Sequence, residues 1–375
     1  MFDRPRKRHG ARWLIDRLSR EYYAPTRQWS RVVVDAYLDA RSKVLRHFRS
    51  KIKRPLALYD LRICANTFDF AYFLYDADTH FRALGFDRFQ VCILDREAFG
   101  LGEYEAVVGW DKRRSRVQSM IVPMAEMYQG CGAAMVTQDD REVIALCRTS
   151  EPIFPLNADG RHLRTHNYVA IHRKLDQHRP YSGFRAPRAA VDEVRLFKER
   201  RGITQPAVTL TIRAYRYQAL RNTDLDAYFR FADYLRQSGF APILIPDAEA
   251  PDAVDLSEFV SFPEACADLH LRMAMYEESF TNVFTSNGVH AIAALNEKCS
   301  FMLALLNEAY PSSTGLTRFE ADGLRLGDQP FGGTTKRFIW AKESFENLRE
   351  NFEIIRSHRN ADVRAAEAAE LRELS

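Results

Sequence analysis

Basic and polar side chains that suit phosphate groups gather in residues 207–306 of this 375-residue chain. Each of them lies at the end of an apolar run or in the loop that comes after it: Arg213, Arg221, Asn222, Asp247, Ser286, Asn287, Gly288 and Asn307. Guanidinium groups bind diphosphate oxygens in a bidentate way. A glycine that opens a helix lets the backbone approach an anion, and the first turn of the helix offers free N–H groups. These residue types together predict a pocket for a diphosphate.

The elements that must position these side chains alternate between strand and helix patterns. Apolar runs predict strands over 207–213, 240–245, 282–285 and 300–306, and helical patterns cover 224–239, 268–279 and 289–297. Strands and helices that alternate in this way form a parallel sheet with right-handed crossovers. Ligands of such sheets bind outside the carboxyl ends of the strands. The predicted phosphate contacts therefore meet at one edge of the sheet.

Each of these residues also has an ordinary structural explanation. Ser286 and Asn287 are common helix caps, and on local grounds capping is the better explanation. An ion pair of Arg213 with Asp247 or Glu249 competes with ligand binding, and the sequence leaves both roles open. Asp247 follows its strand through a proline, which is also typical of a turn. Phosphate binding is favoured only because all of these positions converge on one edge.

A second, less regular α/β pattern covers residues 55–150. Strand-like runs occur at 55–63, 89–94, 131–137 and 142–147, with helical patterns over 67–84 and 111–127. Asp69 follows the first of these strands closely. A carboxylate there would act as general base on an acceptor hydroxyl. Asp69 or Thr67 also suits the N-cap of the helix, and both roles are compatible.

The chain is too long for one ordinary core and predicts two domains. We expect a basic helical arm over 1–54, an α/β lobe over 55–150, a linker over 151–194, a second α/β lobe over 195–340 and a C-terminal helix and tail over 341–375. The final helix carries an apolar stripe that needs another surface to cover it. The predicted fold class is α/β, with two facing Rossmann-like lobes and a ligand in the cleft between them.

The net charge of +4 is unevenly distributed along the chain. Residues 1–54 contain 16 Lys and Arg against 5 Asp and Glu, which is typical of a solvated basic arm or of a patch that rests on anionic lipid headgroups. No recognised nucleic-acid-binding motif accompanies them, so nucleic acid is not expected as a partner. No apolar run reaches the ~20 residues that cross a bilayer. We expect a cytoplasmic protein, in peripheral contact with the inner face of the membrane through this arm.

Metal and redox chemistry are not predicted. The six cysteines are scattered without a CxxC pair, which is typical of reduced cysteines in the cytosol. Four histidines of the linker lack the helical and acidic context of a metal site: His162, His166, His172 and His178. The absence of GxxxxGK[ST], GxSxG and GxGxxG motifs argues against a P-loop kinase, an α/β-hydrolase and a simple nicotinamide dehydrogenase. No cofactor is therefore expected.

The second half of the chain resembles the donor-binding lobe of GT-B-fold glycosyltransferases. The segment VTLTIRAYRYQALRN (208–222) resembles the basic sugar-nucleotide contact of fucosyltransferase-like members. SNGVHAIAAL (286–295) is similar to the glycine-and-histidine loop of heptosyltransferase-like members, which opens a helix beneath the donor diphosphate. The resemblance covers roughly 100 residues. It implies two Rossmann-like lobes and a final crossover helix that returns to the first lobe.

The residues and the resemblance imply a metal-independent glycosyltransferase. It would move a hexosyl or deoxyhexosyl group from a nucleotide-sugar to a hydroxyl of a cell-envelope glycan or a lipid-linked acceptor. Arg213, Arg221, Asn222 and residues 286–288 would hold the diphosphate and stabilise the leaving group. Sugar or ribose would contact Asp247 and Asn307, and the base would be Asp69. Two alternatives stay open: a nucleotide-sugar epimerase or hydrolase with the same cleft, and a non-catalytic protein with a degenerate GT-B-like fold.

Overall fold

A computed structural model describes residues 54–62, 64–96, 109–155, 183–248, 250–321 and 323–373. The chain divides into two compact units, residues 1–168 and 169–375. Almost all of the basic arm predicted for residues 1–54 lies outside the described residues, as do the four linker histidines. No helix in the described ranges is long and apolar enough to span a bilayer.

The first unit is built on a parallel sheet with the strand order β3-β2-β1-β4. Its described strands are β1 (Leu56–Asp60), β2 (Phe89–Leu94), β3 (Cys131–Thr137) and β4 (Ile153–Phe154). The described helices are α1 (Asp69–Ala83), α2 (Trp110–Arg116), a π-helical turn (Val117–Ile121), α3 (Val122–Met127) and α4 (Asp140–Thr149). Three of the four strands predicted for this unit are present. The fourth prediction, a strand over 142–147, is wrong because this segment belongs to α4.

The side chains of β1 point alternately to the two faces of this sheet, and both faces are covered by helices. Leu56 and Leu58 pack in a cluster that includes Val143 and Cys147 of α4. The ring of Tyr59, on the opposite face, lies 4.6 Å from that of Phe70 in α1. Side chains of a strand alternate between the two faces, so a strand buried on both faces needs apolar residues throughout. All five residues of β1 are buried, and its one charged residue, Asp60, is paired with Arg62 at 2.8 Å.

The second unit contains a larger parallel sheet with the strand order β10-β9-β8-β5-β6-β7. Its described strands are β5 (Ala207–Thr211), β6 (Ala241–Ile245), β7 (Val260–Ser261), β8 (Thr281–Phe284), β9 (Phe301–Ala304) and β10 (Lys336–Ile339). Every pairing between neighbours in this order is parallel. The four strands predicted here are present, and the short strands β7 and β10 were not predicted. The predicted α/β class, with a Rossmann-like sheet in each unit, is therefore confirmed.

The helices of the second unit connect these strands. The described helices are α5 (Arg188–Arg200), α6 (Leu225–Gln237), α7 (Glu264–Ala267), α8 (Leu269–Glu277), α9 (His290–Ala294), α10 (Pro311–Thr314), α11 (Leu316–Ala321) and α12 (Phe345–Glu373), with a 3-10 turn at Ala219–Arg221. Helix α5 was not predicted and begins inside the segment that we expected to be a linker. Helix α9 has only five residues, although the pattern predicts a helix over 289–297.

Helix α6 shows how local sequence sets an element that borders the site. Its N-cap, Asp224, accepts a hydrogen bond from the backbone N–H of Ala227 at 3.1 Å. The helix ends before Gly239, which has a φ of +82°, a conformation that glycine adopts without strain. Tyr228, Phe231 and Leu235 are spaced by three and four residues and are fully buried.

The last helix completes the core of the second unit. Leu348, Phe352 and Ile355 of α12 are fully buried and pack in one cluster with residues of α6 and of the sheet. The apolar stripe predicted for this helix is confirmed, and the surface that covers it belongs to the second unit itself. The Phe352 ring lies 5.0 Å from Phe240 and 5.8 Å from Phe231.

Candidate functional site

The strand order of the second sheet places its ligand-binding edge beside β5. From β5 the chain continues through α6 to β6 on one side, and β8 lies on the other side. Strand order reverses at this point, and ligands of open α/β sheets bind at the carboxyl ends of the strands there. Two loops leave these ends: residues 213–223, here the Arg213 loop, and residues 285–289, here the 286–288 loop.

Arg213 stabilises, through its hydrogen bonds, the loop in which it lies. Its backbone N–H donates to Thr223 Oγ1 at 2.8 Å, and its carbonyl accepts from Thr223 N at 3.0 Å, which closes the loop at both ends. The guanidinium donates to Gln218 O at 3.1 Å, to Tyr217 O and to Asn222 Oδ1. Burial lowers the pKa of Arg213, and the nearby Asp247 carboxylate opposes that change. Three of the five N–H donors of the side chain therefore hold the protein's own loop.

The Arg213 loop contains a strained residue that the sequence does not reveal. Gln218 has φ +51° and ψ +57°, a left-handed conformation that is uncommon for a residue with a side chain. Its carbonyl accepts from Arg213, and its Oε1 accepts from Arg221 Nη1 at 2.6 Å. Backbone strain of this kind persists where surrounding contacts impose it, and it clusters at ligand-binding sites.

Arg221 joins the two loops. Its Nη2 donates to the carbonyl oxygen of Ser286 at 2.6 Å. Asn222 is used within the Arg213 loop, because its Oδ1 accepts from Arg213 Nη1 and from Tyr215 N at 3.0 Å. The predicted convergence of the basic loop and the Ser-Asn-Gly segment is therefore present in the structure.

Contrary to the sequence prediction, the backbone N–H groups of the 286–288 loop are not all free to bind an anion. The Asn287 N–H, which we expected to face a ligand, donates to Thr285 O at 2.6 Å. The following helix, α9, is too short to supply the helix dipole that the sequence predicts. Burial lowers the pKa of His290 to about 4, so this ring is neutral at physiological pH. A neutral ring with its Nδ1 against Asn287 O donates from that nitrogen.

Two groups of the 286–288 loop have no hydrogen-bond partner among the described residues. Asn287 Oδ1 is buried and accepts no hydrogen bond from any residue that the structure describes. Gly288 is exposed, and no described acceptor takes its backbone N–H. A buried amide oxygen without a donor is rare in folded proteins and indicates a missing partner, such as water or a ligand group.

Asp247 and Asn307 reach the same edge but contact the Arg213 loop. Asp247 Oδ2 accepts from Ala214 N at 3.0 Å, and Asn307 Nδ2 donates to Leu220 O at 2.7 Å. Asn307 Oδ1 also accepts from Ala309 N at 3.0 Å. These hydrogen bonds stabilise the Arg213 loop. Contact of Asp247 and Asn307 with ribose or sugar stays a prediction.

Asp69 is the first residue of α1 in the first unit. Thr67 Oγ1 accepts its backbone N–H at 3.3 Å, and the cap position itself is Phe68. Asp69 therefore lies in the first helical turn and not at the N-cap. A carboxylate in the first turn interacts favourably with the helix dipole. Its role as a base stays a prediction.

A buried carboxylate that the sequence analysis did not single out lies at the edge of the second sheet. Glu343 is 6% exposed and follows β10. Its Oε1 accepts from Asp224 N at 3.0 Å and from Thr285 Oγ1 at 3.1 Å. The signal for it is the short apolar run before it, residues 338–340, of which Phe338 and Ile339 end β10.

Arg272 of α8 is a buried charged residue. It is 5% exposed and donates from Nε to Ala265 O at 2.7 Å. No group of three or more His, Cys, Asp and Glu within the described ranges is arranged to hold a metal ion.

Comparisons with known proteins give a fold likeness only. No protein-family model matches the chain, and no curated protein matches its sequence. A glycosyl transferase of family 9 from Veillonella parvula is 10% identical, with a TM-score of 0.48 over 82% of this chain and 89% of that chain. The E. coli ADP-heptose lps heptosyltransferase II is 12% identical, with a TM-score of 0.41 over 82% and 99%. Similarity of this degree carries no argument about activity, so the function must be argued from the residues.

Proposed function

We propose that the second unit binds a nucleotide-sugar and that the protein transfers its sugar to a hydroxyl acceptor. The observation that carries the proposal is the hydrogen bond of Arg221 to Ser286 O at the point where the strand order of the parallel sheet reverses. It brings a loop with three arginines, Arg213, Arg216 and Arg221, against a loop with an exposed glycine and an amide oxygen to which no described residue donates. Nucleotides bind at such edges, where positive side chains stabilise phosphate charge.

The contacts favour particular roles within this proposal. Arg213 shapes and charges the pocket, since most of its donors hold the loop. Asn287 Oδ1 would accept from a ribose or sugar hydroxyl, and the Gly288 N–H would donate to a phosphate oxygen. The acceptor would be a glycan or a lipid-linked sugar, with Asp69 as the base. Residues 1–54, with their excess of basic residues, would bind an anionic membrane surface.

The same contacts support a second candidate, a protein of this fold without transfer activity. Arg213 and Asn222 form hydrogen bonds within the loop, and Arg221 bonds to Gln218 and Ser286. Side chains that already hold each other offer fewer donors to a diphosphate. Ligand binding separates the two candidates.

A thermal-shift and calorimetric screen with UDP, GDP and ADP, and with UDP-glucose, GDP-mannose and ADP-glucose, tests the proposal. A ligand at a hundredfold its dissociation constant stabilises the fold by about 2.7 kcal/mol. Arg221→Ala removes charged hydrogen bonds of about 1.5–3 kcal/mol each, so affinity should fall by about tenfold or more. Arg200→Ala, at a surface arginine whose side chain is 67% exposed, is the matched control and should bind like the wild type.

The outcomes of this screen differ for each candidate. Stabilisation by none of the six compounds would overturn the proposal in favour of the non-catalytic candidate. A bound nucleotide-sugar that releases free sugar equally with and without added glycan acceptors would identify a hydrolase. Product formation that requires an acceptor would support transfer.

A further inference from the structure

Asn287 and Gly288 are the one Asn-Gly pair of the sequence, and they form the centre of the 286–288 loop. The side-chain amide of an asparagine can react with the backbone nitrogen of a following glycine, because no Cβ shields that nitrogen. The two reacting atoms belong to neighbouring residues, so the reaction needs no cavity. How readily it proceeds in a folded protein depends on how the two residues are held.

The backbone of Asn287 is held on both sides, but its side chain is not. The backbone N–H donates to Thr285 O at 2.6 Å, and the carbonyl oxygen accepts from His290 Nδ1. Among the described residues, none donates to the buried Oδ1 and none accepts from Nδ2. A buried acceptor without a donor costs free energy. Rotation of the amide toward Gly288 therefore breaks no hydrogen bond and lets water reach the oxygen.

The backbone nitrogen of Gly288 is available to attack this amide. Gly288 is exposed, and no described acceptor takes its N–H. The carbonyl oxygen of the same peptide group, Asn287 O, accepts from the neutral ring of His290. A donor at that oxygen polarises the peptide group and makes its N–H more acidic. Arg221, bonded to Ser286 O, adds a positive charge at the loop that stabilises negative charge developing on the nitrogen.

We propose that Asn287 is a site of spontaneous deamidation in the folded protein, a property beyond the proposed function. The Gly288 nitrogen forms a bond to Asn287 Cγ, the bond between Cγ and Nδ2 breaks, and Nδ2 leaves as ammonia with the proton of the Gly288 N–H. Water then opens the cyclic imide at one of its two carbonyl groups. One product is aspartate at 287. The other is isoaspartate, through whose side-chain carbonyl the main chain continues.

Either product places a carboxylate in the 286–288 loop, and the consequence of this charge rests on the proposed function. A negative charge at 287 repels phosphate, so Asn287→Asp should bind a nucleoside diphosphate about tenfold more weakly than the wild type. A bound phosphate that accepts from the Gly288 N–H also blocks the reacting nitrogen. The loop should therefore change in the ligand-free protein and be protected in the complex.

Peptide mapping by mass spectrometry follows the reaction in the wild-type protein during incubation in mildly alkaline buffer. The peptide that contains Asn287 should gain the mass difference between an amide and a carboxyl group, and an isoaspartyl methyltransferase should label it. Asn307 is the internal control, because its amide donates to Leu220 O at 2.7 Å and accepts from Ala309 N at 3.0 Å. The peptide that contains Asn307 should stay unchanged.

Gly288→Ala tests the chemical route. Gly288 is exposed and does not have a positive φ, so alanine fits the loop while its Cβ shields the nitrogen. This variant should melt like the wild type and show no conversion over the time in which half of the wild type converts. His290→Phe keeps a ring without a donor and should convert more slowly than the wild type.

The same chain unfolded in guanidinium chloride shows the rate that the sequence alone sets. The native protein should convert at least as fast, because the contacts of the loop activate the pair. Slower conversion in the native protein would overturn the proposal, since the fold would then protect Asn287. Conversion of Gly288→Ala at the wild-type rate would overturn it as well. If native Asn287 converts as expected but UDP, GDP and ADP neither bind nor slow the reaction, the deamidation site stands and the proposed function fails.

Discussion

Substituting Arg213 with methionine removes the guanidinium while it keeps most of the apolar stem. The bonds to Tyr217 O, Gln218 O and Asn222 Oδ1 are lost together. The two bonds of the Arg213 backbone, to the Thr223 hydroxyl and from the Thr223 N–H, remain, so the loop stays anchored at its ends. The substitution therefore tests the side chain as the internal support of the Arg213 loop.

The magnitude follows from the number and setting of these bonds. A hydrogen bond from a charged donor contributes about 1.5–3 kcal/mol, and a neutral one about 0.5–1.5 kcal/mol. Burial lowers the pKa of Arg213, which shows that the charge loses hydration in the folded protein. Water also reaches the exposed part of the loop once the side chain is gone. About 1 kcal/mol for each of the three bonds is therefore the appropriate figure, and we expect a total loss of about 3 kcal/mol.

Urea denaturation and thermal melting measure this loss directly. A decrease of about 3 kcal/mol corresponds to a fall in Tm of about 6–12 °C for a unit of roughly 200 residues. Arg200→Met is the control, because that side chain is 67% exposed and forms an ion pair with Glu193 at 3.3 Å. An exposed pair of this kind contributes less than about 1 kcal/mol.

A double-mutant cycle with Asn222→Ala isolates one of the three bonds. Residues in contact show coupling energies of about 0.5–3 kcal/mol, and independent residues have additive effects. Arg213 and Asn222 should be coupled by about 1 kcal/mol. Additive effects, or a loss below about 0.5 kcal/mol for Arg213→Met alone, would refute the supporting role.

Two further predictions concern the core of the second unit. Phe352→Ala should lower the free energy of unfolding by about 3–5 kcal/mol, because the ring is fully buried among Phe231, Phe240 and Phe280. Urea titrations measure this loss. A loss below about 1 kcal/mol would show that α12 is not part of this core. Burial lowers the pKa of Lys336 from 10.5 to about 8, so the unfolded chain holds more protons between these values. Stability from this residue should thus be complete above pH 10.5 and decrease by about 3 kcal/mol as the pH falls through 8. The difference in unfolding free energy between wild type and Lys336→Met should follow that change, and a difference independent of pH would contradict it.

Much of the second unit could be predicted because its elements carry strong local signals. The strand over 207–213 is found at Ala207–Thr211, and the helix over 224–239 is found at Leu225–Gln237. The strand is an apolar run, and the helix is a periodic segment bounded by the capping residue Asp224 and by Gly239. Strand β7 has two residues, which are too few for a periodic pattern.

The wrong strand over 142–147 illustrates the limit of such patterns. Val143 and Cys147 are the buried residues of α4, four positions apart. A short apolar run fits a strand or a helix equally well, and only the cap resolves it. Asp139 accepts from Arg141 N at 2.8 Å and begins the helix.

The sequence by itself determined that polar residues would collect at the carboxyl ends of parallel strands, because strand and helix periodicity are local properties of the chain. Arg221 does meet the 286–288 loop at that edge, and Arg213 lies in the same loop as Arg221. Only the tertiary structure decided what each group does there, because the hydrogen-bond partners depend on the path of a loop, as for Arg213, or come from a distant segment, as for Glu343. Arg213 holds its own loop, and Glu343, 119 residues after Asp224, accepts the N–H of that residue. Such pairings depend on how the strands are ordered in the sheet, which no local pattern encodes.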